Sequence, residues 1–384
     1  MRLNVLHVVT SLEDGGLEKV VYMLVSGIND PGIKHYCAVL IDRKDQFLWN
    51  DLQSNGASIT QFNFINKKSS FSKNISQVIK LAWFIRKNNI SIIHSHDFFP
   101  AFMARCASLI SLFFFFHKTK RIFITLHNTM FWLSPIHHFI NRLLGTFTSK
   151  IICVSDSVKK YSLENDKITE AKYSIIYNGV NTNNYIPRAP LNEEYRSEFG
   201  LNKNDIIIGN VGVLSVRKGQ KYLVSAFKRL SERFDNVKLL IFGSRREHEL
   251  KVADELYDLI NKFALNDKVK IFSPRKDLNK IYNIFDLFVM PSITEGLSLS
   301  AIEAMLMERI CLFSDIPPFK EMINEGINGF MFRSADEGDL FNKMEYIIKN
   351  ITSFKEAGRK ARVDALAKYT SGRMVNEYKA LYLS

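Results

Sequence analysis

The sequence predicts an α/β protein built from two doubly wound, parallel-sheet domains, and three features predict it. Strand-length apolar runs alternate with helix-patterned segments through the first half of the chain, the alternation that builds a parallel sheet with helices on both faces. A stretch without periodicity, Tyr177 to Glu194, interrupts the alternation, which then restarts. The chain has 384 residues, beyond the size at which one hydrophobic core usually keeps growing.

The elements follow in order. "LNVLHVV", Leu3 to Val9, is the near-continuous apolar run of a strand buried on both faces. After it the chain passes through an acidic, glycine-containing turn into a helical pattern, with Leu17, Val20, Val21 and Leu24 on one face. His35 to Ile41, Ser91 to Asp97, Arg121 to His127 and Ser149 to Ser155 read as further strands, with helices between most of them, such as Asn74 to Lys87 and Ala101 to Phe115. Tyr177 to Glu194 holds asparagines and prolines without periodicity and reads as an interdomain linker. The second set of strands is Asp205 to Leu214, Asn236 to Gly243, Lys268 to Ser273, Asp286 to Ser292 and Arg309 to Asp315. No short repeat marks a solenoid. Ligands of such sheets bind outside the carboxyl ends of the strands, which is expected to place them between the two halves.

Composition narrows the function classes. Hydrophobic residues make up 46% and charged residues 24%, an ordinary globular balance. No apolar run is expected to cross a bilayer: the longest, Leu109 to His117, is too short and runs into Lys118 and Lys120. The first residues carry polar groups inside their apolar stretch and lack a small-residue cleavage site, unlike a secretion signal. Cys37, Cys106, Cys153 and Cys311 form no close pair, which argues against a disulfide framework or zinc knuckle and fits a reducing cytoplasm. The formal charge of +13 implies an acidic partner, whether nucleotide phosphates, an anionic membrane face or nucleic acid. No nucleic-acid module is recognisable and the basic residues are dispersed, so nucleic acid ranks last.

The segment "PSITEGLSLSAIEAM", Pro291 to Met305, carries the clearest chemistry. The loop from Glu295 through Gly296, Leu297 and Ser298 delivers a helix N-terminus, near Leu299, to the carboxyl end of a strand. Unpaired backbone N–H groups and the positive end of the helix dipole make a pyrophosphate cradle there. Gly296 lets the chain approach a ligand closely. Glu295 on the loop is placed to hold sugar hydroxyls, and Glu303 inside the helix to accept hydrogen bonds from a ribose. A capped structural helix with one surface acid fits the same spacing.

This motif resembles the E-x7-E signature of the retaining family 4 glycosyltransferases (group 1), which have the GT-B fold of two Rossmann-like domains facing across a cleft. The resemblance runs in order along nearly the whole chain: "LHVVTSLEDGGLEKVV", "IIHSHD", "ITLHNT", "CVSDSVKK", "IIYNGVN", "GNVGVLSVRKGQKYLVSAF", "EMINEGINGFMF" and "RMVNEYKALY". It implies an acceptor-binding domain over residues 1–185, a nucleotide-sugar-binding domain over 186–365, and a final helix, 366–384, packing back on the first domain. It implies that Gly15 and Gly16 bring backbone amides to the donor diphosphate. Lys218, assisted by Arg217, would neutralise the leaving nucleotide diphosphate, and His127 would touch the donor sugar or the reacting centre. Many relatives carry arginine directly after the glycine where this chain has Val213.

The activity implied is transfer of a sugar, with retention, from a nucleotide-diphospho-sugar (UDP-linked the first expectation) to a hydroxyl of a lipid-linked or polysaccharide acceptor. The setting is assembly of bacterial surface polysaccharide such as O-antigen, capsule or lipopolysaccharide. No cofactor and no metal are expected. His94, His96 and Asp97 invite a metal reading, since H-x-H puts both imidazoles on one strand face, but no further ligand cluster is visible in the sequence. In Phe113 to Phe116, Phe115 falls on one helical face with Ala104, Ser108 and Leu112, and the rest, beside Lys118, Lys120 and Arg121, suit either an anionic membrane surface or a dimer contact. The expected location is the cytoplasm, peripheral on the inner face of the membrane. A non-catalytic partner subunit and a sugar-nucleotide epimerase are the alternatives.

Overall fold

The computed structural model describes residues 2–13, 15–42, 48–65, 71–187, 193–245 and 249–384. The chain forms two compact units, Met1–Asn178 with Gly372–Ser384, and Gly179–Ser371.

The first unit is a 7-stranded parallel sheet: β1 Leu3–Val9, β2 Ile33–Val39, β3 Ser58–Gln61, β4 Ile92–His96, β5 Arg121–Leu126, β6 Lys150–Cys153 and β7 Tyr173–Ile175. The strands lie in the order β3-β2-β1-β4-β5-β6-β7. The second unit repeats the plan with β8 Ile206–Val211, β9 Val237–Phe242, β10 Val269–Phe272, β11 Leu287–Met290, β12 Ile310–Ser314 and β13 Phe330–Phe332, in the order β10-β9-β8-β11-β12-β13. Each sheet therefore reverses direction once, between β1 and β4 and between β8 and β11. A crevice opens at the carboxyl ends of the strands at such a reversal. The central strands are closed to water on both faces: Val5, Leu6, Val8 and Val9 of β1 and Leu287 to Met290 of β11 are buried, and so are the polar His7 of β1 and His94, Ser95 and His96 of β4.

Two strands, β3 and β13, have no counterpart in the sequence analysis, and β7 is marked only by the family segment "IIYNGVN", whose first residue, Ile175, ends it. All lie at sheet edges and have only three or four residues. An edge strand pairs on one side only, and the β3 residues are half-buried, so no apolar run betrays it.

The helix Phe98–Phe115 corrects the expectation that nothing here matches a membrane span. By length and composition it is long and apolar enough, with 18 residues and a mean hydropathy of 1.7. Counting contiguous apolar residues missed it because Arg105, Ser108 and Ser111 interrupt the run, and all three are buried. Arg105 donates to the Ala101 carbonyl (3.0 Å) and to Asn141 Oδ1 (2.7 Å), and burial holds its pKa down to about 10. The helix packs Met103, Ala104 and Ala107 into the core of its sheet. At its end Phe115 packs against that core while Phe113, Phe114 and Phe116 are 68%, 73% and 91% exposed. Leu112, expected on the buried face, is exposed, and Ser111 is buried in its place.

The chain leaves the first unit at Asn178 and returns at Gly372, rather than at 185 and 366. Val180 and Thr370 form a parallel bridge, with Val180 N–H donating to Tyr369 O and Ser371 N–H to Val180 O, both at 2.9 Å. That pairing ties residues 179–185 and 366–371 to the second unit. Part of the expected linker, residues 188–192, lies outside the described residues. The final helix, Ser371–Leu383, buries Tyr378 and Tyr382 in the first unit.

Candidate active site

The second unit gathers its expected residues at the reversal point between β8 and β11. Lys218 ends a short 3-10 turn after β8. Its Nζ lies 2.6 Å from Glu295 Oε1, Arg217 Nη1 lies 3.5 Å from Glu295 Oε2, and Ser292 Oγ donates to Glu295 Oε1 at 2.7 Å. Lys218 and Glu295 are buried. Burial alone would raise the Glu295 carboxyl, but Lys218, Arg217 and the hydrogen bonds from Lys218 and Ser292 together hold it below the ordinary value.

Gly219 makes this pairing possible. Its φ is +66°, and a Cβ there would stand 2.0 Å from the Pro291 carbonyl oxygen. With Ile293 N–H donating to Arg217 O at 2.7 Å, the turn after β8 is clamped against the segment leaving β11. Only glycine permits both the left-handed backbone and the close approach. At Val213 the residue offers no positive charge, and its carbonyl accepts from Gln220 Nε2 at 3.0 Å.

The helix Leu299–Leu306 starts as the sequence predicts, with Ser298 at its N-cap, extended and making no side-chain cap. The first intrahelical bond runs from Ile302 N–H to Ser298 O. Among the described residues the N–H groups of Leu299, Ser300 and Ala301 have no internal partner, which leaves donors for an anion. Gly296, Leu297, Ser298 and Leu299 are buried around this terminus. Glu303, one turn on, is buried as well. Its Oε2 accepts from Tyr282 Oη at 2.8 Å, and Tyr185 also hydrogen-bonds to it. Neither tyrosine was foreseen: Tyr282 lies in another segment of the unit and Tyr185 in the stretch read as linker, so no sequence spacing connects them to Glu303.

The first unit has its own cluster. Gly15 caps the helix Gly16–Gly27 in extended backbone (φ −155°) without a side-chain cap. That conformation does not itself demand glycine. Glu18, in the first turn of this helix, is buried; the sequence reading passed over it. At the end of β4, Asp97 has φ 65° and ψ −179°, a region almost confined to glycine and worth on the order of 1–3 kcal/mol of strain. Its Oδ1 accepts the His127 N–H at 2.7 Å, so the strained residue holds the loop that carries His127.

His127 joins four more buried histidines. His96 Nδ1 lies 3.0 Å from His127 Nε2, His7 Nδ1 3.5 Å from His96 Nε2, and His35 Nδ1 3.2 Å from His7 Nε2. His94 sits beside them, bonded to Tyr382 Oη (2.5 Å) and Thr125 Oγ1 (2.7 Å). The register that places His7 opposite His94 supplies a third imidazole to the H-x-H pair, which the sequence reading did not find. Ligand atoms of His7, His94 and His96 lie within 4.8 Å of one another. Every ring nitrogen of the three already has a hydrogen-bond partner, so the chemistry of this set is that of a hydrogen-bonded network. Burial pushes the pKa of all five histidines down, those of His94 and His127 to about 3.

Two parallel-sheet units of this construction fit the GT-B fold. Residues 14–184 match the family model described as Glycosyltransferase Family 4 and residues 192–364 the one described as Glycosyl transferases group 1; the chain belongs to these glycosyltransferases. Among its relatives, an O-antigen biosynthesis glycosyltransferase of Escherichia coli, WclY, is 23% identical, covering 84% of this chain and 85% of the relative. The UDP-Gal:alpha-D-GlcNAc-diphosphoundecaprenol alpha-1,3-galactosyltransferase of Escherichia coli is 22% identical, covering 72% and 70%. The crystal structure of Anabaena HepE in complex with UDP and glucose superposes over the whole of both chains, with a TM-score of 0.87 and 18% identity.

Proposed function

We propose that this glycosyltransferase takes a sugar from a nucleotide-diphospho-sugar, UDP-linked, and joins it with retention to a hydroxyl of a lipid-linked glycan during assembly of a bacterial surface polysaccharide. The observation that carries the reading is the buried Lys218–Glu295 pair, with Arg217, beside the uncapped start of the helix Leu299–Leu306. Two cations and a helix N-terminus suit a departing diphosphate, and a carboxylate among them suits the hydroxyls of the sugar it leaves. Lys218 and the N–H groups of Leu299, Ser300 and Ala301 stabilise the leaving group; Glu295 orients the sugar. Glu303, held by Tyr185 and Tyr282, accepts the ribose hydroxyls. No nucleophile is assigned opposite the sugar, so the departing phosphate oxygen itself takes the proton of the incoming hydroxyl. Lys218 and Arg217 supply positive charge of the kind a divalent metal would otherwise bring, which supports a reaction that needs no metal. Gly15, Gly16 and His127 lie in the first unit, and the family resemblance assigns the two glycines to the donor diphosphate and His127 to the donor sugar or the reacting centre.

The first unit also supports the membrane part of the reading. Phe113, Phe114 and Phe116 are exposed, and so are Ile136, Phe139 and Leu143, at 64%, 65% and 60%. These last three lie three and four residues apart on the helix Pro135–Leu144 and share one face. Apolar side chains in that pattern, on a chain of charge +13, suit the inner, anionic face of the cytoplasmic membrane, where a lipid-linked acceptor resides. The test is release of nucleoside diphosphate from UDP-, GDP- and ADP-sugars in chelator, with and without bacterial lipid extract. Release from a UDP-sugar that rises with lipid is expected. Dependence on added metal, or no release from the folded protein, would overturn the reading.

A further inference from the structure

We propose that His35, His7 and His96 form a polarised chain of neutral imidazoles, anchored on the Ile28 carbonyl, that holds His127 as its Nε2–H tautomer and leaves His127 Nδ1 as a hydrogen-bond acceptor. The polarity follows from one end. A carbonyl oxygen can only accept, and His35 Nε2 lies 3.4 Å from Ile28 O, so His35 carries its proton on Nε2 and presents a bare Nδ1. His7 Nε2 must then donate to it (3.2 Å), which leaves His7 Nδ1 bare. The same step repeats from His96 Nε2 to His7 Nδ1 (3.5 Å) and from His127 Nε2 to His96 Nδ1 (3.0 Å). In a neutral imidazole one nitrogen donates and the other accepts, so each hydrogen bond fixes the next ring.

Neutral rings are what this setting favours. All four are buried, and burial pushes each pKa below the ordinary histidine value. His127 Nδ1 has no hydrogen-bond partner among the described residues. It is thus the one open acceptor of the chain, at the carboxyl end of β5 where the loop is held by Asp97. Its natural partner is a donor O–H, and a sugar hydroxyl is the hydroxyl at hand. That last assignment rests on the function proposed above; the tautomer chain does not. His96, His7 and His35 are positioning residues: they act on the substrate only through His127.

The test reads tautomers directly. Nitrogen-15 spectra of histidine-labelled protein at pH 7.5 should show His127 with a pyrrole-type Nε2 and a pyridine-type Nδ1, and scalar coupling across the hydrogen bond to His96 Nδ1. A protonated Nδ1, or no coupling, overturns the proposal without any variant being made. His35→Phe removes the acceptor of His7 at the far end. The chain is then free to invert, and His127, which His35 does not touch, should acquire substantial Nδ1–H character. His35→Gln, whose amide oxygen still accepts, should restore the original tautomer. In the same pair kcat should fall by roughly 10- to 100-fold in His35→Phe, by analogy with loss of the partner that fixes the tautomer of a metal-bound histidine, and recover in His35→Gln. An unchanged His127 tautomer in folded His35→Phe overturns the chain. If the protein transfers no sugar, the spectra still decide the tautomers, so the two readings fail separately.

Discussion

Lys218 Nζ meets Glu295 Oε1 at 2.6 Å in a buried setting, so a cation suited to phosphate and a carboxylate suited to sugar hydroxyls form a single pair. A buried pair is weak evidence of stability, but breaking one leaves an uncompensated charge that destabilises by about 3–5 kcal/mol. Lys218→Met should therefore lower both turnover and stability, turnover by about 10²–10³ as for loss of one donor to a developing anion. Adding Glu295→Leu should restore most of the stability and none of the activity. Urea denaturation with donor-turnover assays on the two variants checks this, and recovery of activity in the double variant would remove the assigned roles. Gly219 belongs to the same scale. Gly219→Ala is expected to destabilise by more than about 1 kcal/mol, since the left-handed backbone alone disfavours alanine by that order and its Cβ meets Pro291 O. Normal melting and turnover in that variant would show that the clamp is dispensable.

Elements were legible to the extent that they are buried. Central strands such as β11 announced themselves because both faces are apolar, and the helix Leu299–Leu306 because its loop and its spacing agree. The short edge strands β3 and β13 did not, although β10, also at an edge, is read as Lys268 to Ser273. The helix Pro135–Leu144 is a different case. Its start is well specified, with Ser134 at the N-cap, Pro135 in the first turn and His137 Nδ1 accepting the Ser134 N–H at 3.1 Å. Yet periodicity cannot tell a stripe that faces a core from one that faces outward. The triple substitution of Ile136, Phe139 and Leu143 by serine tests what the stripe is for. Sedimentation with anionic vesicles should fall at low salt, while the melting temperature should shift little, as exposed positions typically contribute within about 0.5 kcal/mol. Undiminished vesicle binding would take the stripe out of the membrane contact.

At the scale of the whole molecule, the two units should differ in their tolerance of acid. The histidines of the network have folded-state pKa values below those of the unfolded chain. Below about pH 6.5 the unfolded chain takes up protons that the folded first unit refuses, so stability present above that pH is lost as the pH falls toward the folded values, near 3 for His94 and His127. The slope is at most about 1.4 kcal/mol per pH unit for each histidine. The second unit contains only His248 among the histidines, and the stability that Glu295 contributes through its depressed folded pKa begins to be lost only below about pH 4.3. Urea unfolding at pH 7.5 and 5.5, followed by hydrogen exchange, should show the first unit destabilised and the second nearly unchanged. Equal losses in both units would refute this account.

By itself the sequence determined the fold class, the two-unit division to within a few residues, and the residue types of the second unit's cluster, because alternating apolar runs and an ordered set of loop motifs are local patterns. The tertiary structure alone decided that Lys218 meets Glu295, that Tyr185 and Tyr282 hold Glu303, and that five histidines from four strand segments share one buried network. Those contacts depend on strand order and register. His7 faces His94 only because β1 lies beside β4 in parallel, and no spacing along the chain records which strands become neighbours.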